Sequence, residues 1–389
     1  MKKISILGAT GSIGSTTLSI ISKKKVFNLI LLSANKNYRK IINQIKLHKP
    51  KYYVINDIST FKKIKLKFKN KKIKILNNFE EVPKNIKFDI TISAIPGING
   101  LKPTTLMIKQ SKKILIANKE SVICGWNLIK NIAEKNKTKI IPIDSEHFSL
   151  MQLIQNYKEK DIDKIYLTAS GGPFLNFNIK KFKTITPKQA FKHPKWKMGK
   201  KISIDSSTMM NKILEVIEAQ KIFNLPLDKI DILIHPESLV HAILKLKNGL
   251  VKLLYHETSM IIPISNAIFE NNLNINEVHK VSRKSIIRNL TFSAPDKNRF
   301  SILKIKDKIT EYPSTPIIIN SANEILVRSF LKNKTSFLSI SRIILKIMKD
   351  RNYKKYAIKT PSNINQIKTI DNWARKKTLS LINKNEKVF

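Results

Sequence analysis

Two short stretches hold most of the side chains able to do chemistry. Residues 193–215, HPKWKMGKKISIDSSTMMNKILE, crowd an imidazole, hydroxyls, an amide, an ammonium and a carboxylate into one segment. Upstream, the expected strand KIIPI ends in Asp144, Ser145, Glu146 and His147, which places two carboxylates at the edge where α/β sheets commonly bind ligands. If the strand continues through them, Asp144 and Glu146 are two apart and point to the same face. Ser206 or Ser207 would cap a helix starting near Thr208, with Asn211, Glu215 and Glu218 along one side of it. Asp144, Glu146 and Glu215 would then form an oxygen-rich site suited to Mg2+ or Mn2+, whereas Cys and His are too sparse for zinc. Taken singly, each carboxylate reads as structural, Glu215 pairing with Lys212. Taken with the serines, Asn211 and Lys212, they read as a site for a metal and a phosphate.

The elements that must position these groups are marked by glycine, of which the 389 residues contain only ten, well below the roughly 7% of average usage. Three fall in KISILGATGSIGSTTLSII, a strand followed by Gly8, Gly11 and Gly14 and then an amphipathic helix. That context makes it a dinucleotide-binding turn, whose backbone amides approach a pyrophosphate at the helix N-terminus. The second strand, FNLILLSA, leads to Asn35, Lys36 and Asn37, with Arg39 beyond and no acid to meet the ribose hydroxyls, so NADPH is favoured over NADH. FDITISAIPGING and KKILIAN continue the alternation, the latter ending in Asn118, Lys119 and Glu120 facing the same crevice. Strands alternating with helices through about residue 143 predict a parallel, doubly wound domain. Residues 61–76, FKKIKLKFKNKKIKIL, fit either a strand or a lysine-decorated helix. Ser170, Gly171 and Gly172 follow the apolar run KIYLTA, and paired glycines suggest close approach to a ligand. The segment near 173–200 reads as a lid in which Trp196 shields a reacting centre and lysines draw in an anion. His193 and His235 each precede proline, usually the mark of a structural loop.

Composition narrows the classes. The formal net charge of +46 would ordinarily suggest nucleic acid. Yet only eight of the 73 basic residues are Arg, the better reader of phosphates and bases, and the lysines are spread along the chain with abundant Ile and Asn. That pattern fits compositional drift in an AT-rich bacterial genome, and no nucleic-acid partner is expected. The single Cys124 fits a reducing compartment, no apolar run is long enough for a bilayer, and the first strand begins too near the start to leave room for a targeting peptide. A cytoplasmic protein without a membrane partner is expected.

ILGATGSIG, ANKES, PIDSEH, ASGGPF, HPKWKMGKKISIDSSTMMNKILEVIEA and IHPES, in that order and spacing, resemble the 1-deoxy-D-xylulose 5-phosphate reductoisomerases; FSAPD and NSANE extend the resemblance through nearly the whole chain. The resemblance implies a homodimer, dependent on NADPH and a divalent metal, that converts 1-deoxy-D-xylulose 5-phosphate into 2-C-methyl-D-erythritol 4-phosphate, by a retro-aldol/aldol or a ketol-shift route. It implies metal ligands at Asp144, Glu146 and Glu215, and a catalytic set of these three with Lys212 and His193. Ser145, Glu146, Ser170, His193, Trp196, Met198, Ser206, Asn211, Lys212 and Glu215 would meet the substrate. NADPH would be held by Thr10, Gly11, Ser12, Ile13, Asn35, Lys36, Asn37, Asn118, Lys119, Glu120 and Gly199.

Two stretches depart from the family pattern. Asn35 stands where Gly is common, and LYHETSMIIPIS replaces a segment that usually reads like GEPDMRTPI, keeping Met260 and Pro263 but placing Ser259 and Ile261 at the acidic and Arg positions. The expected architecture is α/β: a Rossmann-type NADPH domain over 1–144, an α/β catalytic domain over 145–270, a connecting segment over 271–297, and a helical C-terminal domain over 298–389, where SANEILVRSFL and ISRIILKIMK show helical apolar periodicity.

Overall fold

The computed structural model describes residues 1–192, 194–196, 199–280 and 289–386. The described residues of 1–121, 127–148 and 259–283 form one compact unit, and those of 122–126, 149–258 and 284–389 form a second.

The first unit is built on seven strands: β1 (Lys2–Leu7), β2 (Phe27–Ala34), β3 (Tyr52–Ile55), β4 (Lys74–Leu76), β5 (Phe88–Ser93), β6 (Ser111–Ile116) and β7 (Lys139–Pro142). All pair in parallel, in the order β4-β3-β2-β1-β5-β6-β7. Parallel strands are covered on both faces and read as continuous apolar runs, as in β3, where all four residues are buried. Strand order reverses between β1 and β5, and ligands of such sheets bind beyond the strand ends at that reversal. Residues 61–76 take both forms the sequence allowed. The helix Ile58–Lys67, capped by the Asp57 carboxylate accepting from the Thr60 amide at 2.8 Å, is followed by β4.

The second unit centres on β8 (Ile162–Ala169), β9 (Ile230–Ile234), β10 (Val240–Leu246) and β11 (Val251–Tyr255), in the order β11-β10-β8-β9. β8 and β9 are parallel; the other pairs are antiparallel. The helix Met210–Phe223 packs on β8 and β9. The C-terminal helices Thr315–Leu331, Phe337–Ile347 and Ile364–Glu386 pack on one another. Arg375 ties two of them, donating to Asp371 at 2.8 and 2.9 Å and to Glu324 at 2.5 Å. Among the described residues, no helix is long and apolar enough to cross a membrane.

Candidate active site

Glycine shapes the loop after β1. Gly8 has φ +85°, and a Cβ there would lie 2.6 Å from the Ala94 carbonyl oxygen at the end of β5; a Cβ on Gly14 would lie 2.5 Å from the Gly8 oxygen. Only glycine lets the helix Ser12–Ile21 start this close to the strand. Its N-terminus has no side-chain cap and no acid in the first turn, while Gly11 and Ser12 are exposed. An anion can therefore meet backbone N–H groups there. The loop is braced from behind: Gln44 Nε2 donates to the Ala9 oxygen at 2.8 Å, Tyr53 Oη to Gln44 Oε1 at 2.7 Å, and Lys40 Nζ to the Thr10 oxygen at 3.1 Å. Asn35, Lys36 and Asn37 are exposed beyond β2, and Asn37 caps the helix Tyr38–His48. Asn118 caps the helix Lys119–Lys135 by accepting from the Ser121 amide at 2.7 Å, while its Nδ2 donates to the Ile95 and Gly97 carbonyls and so fixes the loop after β5.

The carboxylates arrive by a different local route from the expected one. β7 is a sheet edge and stops at Pro142; the Asp144 carbonyl then accepts from the Phe148 amide, and the helix Ser145–Ile154 begins. A helical turn rather than a strand face therefore presents Asp144 and Glu146. Lys119 Nζ lies 3.2 Å and His147 Nδ1 3.4 Å from Asp144, and Ser145 Oγ donates to Glu146 at 2.6 Å.

Ser206 and Ser207 do not cap a helix beginning near Thr208. They close the helix Lys200–Ser207, and Met209 at φ +65° begins Met210–Phe223. A buried, bulky residue in the left-handed region is strained, and this one turns Asn211, Lys212 and Glu215 inward. Glu215 is 1% exposed and Lys212 3%; Lys212 forms an ion pair with Glu215, to which Asn211 also donates. Asp144 and Glu146 thus stand at the start of Ser145–Ile154 in the first unit, and Glu215 on Met210–Phe223 in the second. An all-oxygen donor set of this kind fits a hard divalent ion.

Ser170 follows β8, and its Oγ accepts from the Gly172 amide at 3.1 Å. A Cβ on Gly172, at φ +67°, would lie 3.0 Å from the Ser206 oxygen, so this turn sets the Ser170 strand end directly against Ser206. Trp196 meets His241 edge-on, with ring centroids 6.1 Å apart. Gly199 is exposed at the start of Lys200–Ser207. His193 and Met198 lie outside the described residues. His235 is a structural clamp, as its His-Pro context suggested. Its Nε2 accepts from the Leu239 and Val240 amides at 3.1 Å each, and its Nδ1 lies 2.9 Å from the Thr291 carbonyl. Sequence reading missed Asp205, which is buried and accepts from Lys201 and Asn323, each at 2.7 Å. It also missed His241 and His256; polar residues among apolar neighbours were the only signal.

A dinucleotide turn at the reversal of a parallel sheet and an oxygen-donor centre beside hydroxyl, amide and ammonium groups define a nucleotide-dependent α/β enzyme. Residues 4–125 match the 1-deoxy-D-xylulose 5-phosphate reductoisomerase domain, and residues 140–223 and 256–377 match two C-terminal domains of the same enzyme. All three carboxylates fall inside 140–223. The reductoisomerase of Pelagibacter ubique is 47% identical over 98% of this chain and 100% of its own, and that of Clostridium novyi 42% over 90% and 92%. A crystal structure of DOX-P reductoisomerase in complex with NADPH, fosmidomycin and magnesium has a TM-score of 0.93 at 30% identity, covering 99% of both chains. The Zymomonas mobilis enzyme in complex with NADPH has a TM-score of 0.87 at 32% identity, covering 98% of this chain and 99% of that one. The chain belongs to the 1-deoxy-D-xylulose 5-phosphate reductoisomerase family.

Proposed function

We propose that the chain rearranges and reduces 1-deoxy-D-xylulose 5-phosphate to 2-C-methyl-D-erythritol 4-phosphate, using NADPH and Mg2+ or Mn2+, in isoprenoid precursor synthesis. The observation that carries this is the buried Glu215, ion-paired to Lys212 and hydrogen-bonded by Asn211, within a family whose solved members bind NADPH and magnesium. Asp144, Glu146 and Glu215 would hold the cation, which supplies Lewis acidity toward the ketone and hydroxyl oxygens, and NADPH supplies the hydride. Ser145 orients Glu146 through its 2.6 Å hydrogen bond. Ser170, Ser206, Asn211 and Lys212 hold the phosphate, far from the reacting carbons, so that binding energy there keeps the substrate in register. His193 would hold the substrate, and Trp196 and Met198 would lie on the lid that closes over it. Thr10, Gly11, Ser12 and Ile13 receive the pyrophosphate, Asn35, Lys36 and Asn37 the adenosine end, and Asn118, Lys119, Glu120 and Gly199 the rest of the cofactor.

Functional boundaries at 144, 270 and 297, a cytoplasmic site of action and a homodimer belong to the same reading. The dimer is supported by β11, a sheet edge with Val251 and Leu253 exposed beside Leu250. The direct test follows NADPH oxidation with 1-deoxy-D-xylulose 5-phosphate, with Mg2+ or Mn2+ against excess chelator, and identifies the product. Metal-dependent formation of 2-C-methyl-D-erythritol 4-phosphate is expected; folded protein without turnover under either metal would overturn the reading.

A further inference from the structure

His256 follows β11, and its imidazole is buried. Its ring stacks on that of His241, with centroids 3.8 Å apart and planes 17° from parallel. Both rings are also held by backbone. Nε2 of His241 lies 3.1 Å from the His256 carbonyl, and Nδ1 of His256 lies 2.8 Å from the Glu257 carbonyl. Carbonyl oxygens only accept, so His241 carries its proton on Nε2 and His256 on Nδ1. That leaves Nε2 of His256 facing Ser149 Oγ, at 3.5 Å. His241 can therefore neither rotate nor change tautomer without breaking a hydrogen bond, and its edge contact with Trp196 inherits that fixed orientation.

We propose that His256 is a positioning residue: through His241 it sets the seat on which Trp196 docks, and so holds that indole where the substrate needs it. The proposal rests on the reading that Trp196 meets the substrate. Removing the ring at 256 would leave one face of His241 without its stacking partner.

The test uses full-length protein in which Trp126→Phe and Trp373→Phe leave Trp196 as the only one of the three tryptophans. Acrylamide quenching of Trp196 and steady-state kinetics are compared for His256, His256→Ala and His256→Phe. In His256→Ala, quenching should rise about twofold as the seat loosens. KM for the sugar phosphate should rise about tenfold with kcat changed no more than about twofold, the mark of lost binding rather than lost chemistry. His256→Phe keeps a ring against His241 and should quench like the parent. A residue that merely filled space would lower thermal stability without moving either readout. Parental quenching in folded His256→Ala protein, or a higher KM without a quenching change, overturns the proposal. If the alanine variant does not fold, increased quenching in His256→Phe does the same. Absence of turnover in the parent would overturn the proposed activity alone, and the quenching comparison would still decide the role of His256.

Discussion

Glu215 sits almost fully buried, a placement whose desolvation must be offset by nearby cations. Lys212 supplies one and a divalent ion would supply the other. Replacing Glu215 with Gln keeps the shape but removes an anionic ligand. Turnover should fall by about 10³-fold or more, and Mn2+ affinity, read by electron paramagnetic resonance, by at least about tenfold. Unchanged Mn2+ affinity would mean that Glu215 is a structural partner of Lys212 and no metal ligand. These residues were legible in the sequence because their chemistry is dense and local, and Asp144 and Glu146 were picked out although the strand expected to align them ends at Pro142. Asp205 and Asn323 were not legible. Their hydrogen bond joins positions 118 residues apart, and no local spacing announces such a pair.

Among the elements, the turn after β1 offers a sharp test. A methyl group at Gly14 would meet backbone, the Gly8 oxygen at 2.5 Å and the Ala9 Cα at 2.6 Å, so Ser12–Ile21 would have to move away from the strand. A displacement near 1 Å is enough for about a hundredfold loss in a positioned site. Gly14→Ala should weaken NADPH binding by about 10- to 100-fold in a nucleotide fluorescence titration and leave Mn2+ binding intact. The parallel sheet was legible from its apolar runs and glycines. The stretch 61–76 was not, because lysine alternating with isoleucine satisfies either period, and the cap at Asp57 that decides for a helix lies just outside it.

The bridge between Ile234, the last residue of β9, and Ser293 should respond to acid. Partial burial pushes the Glu237 carboxyl up, but the Thr291 hydroxyl and amide donate to it and, with His235 beside it, hold it below its ordinary value near 4.5. A depressed carboxyl stabilises the fold fully above that ordinary value and loses its effect as pH falls through the lower, folded one. Hydrogen exchange at the bridged pair Ile234 and Ser293, corrected for intrinsic rates, should therefore quicken about two- to threefold as pH falls from about 5 to about 3.5. In Glu237→Gln the exchange should be fast throughout and lose this pH response. An equal response in both proteins would place the acid sensitivity elsewhere.

For the whole molecule, charge and apolar surface oppose each other. A formal charge of +46 repels a second copy at any distance not screened by salt, while Leu250, Val251 and Leu253 leave apolar side chains on and beside an open sheet edge. If that edge is the dimer contact, screening should decide how far association goes. The Debye length shortens from about 10 Å at 0.1 M salt to about 3 Å at 1 M, so the repulsion fades while the apolar contribution persists. Light scattering behind size-exclusion chromatography should show the dimer persisting to lower protein concentration as salt rises. Leu253→Lys adds charge and removes apolar area at the same place, and should yield monomer at every salt concentration. A parent that dissociates as salt rises would identify an interface held by ion pairs. A Leu253→Lys protein that stays dimeric would place the contact away from β11.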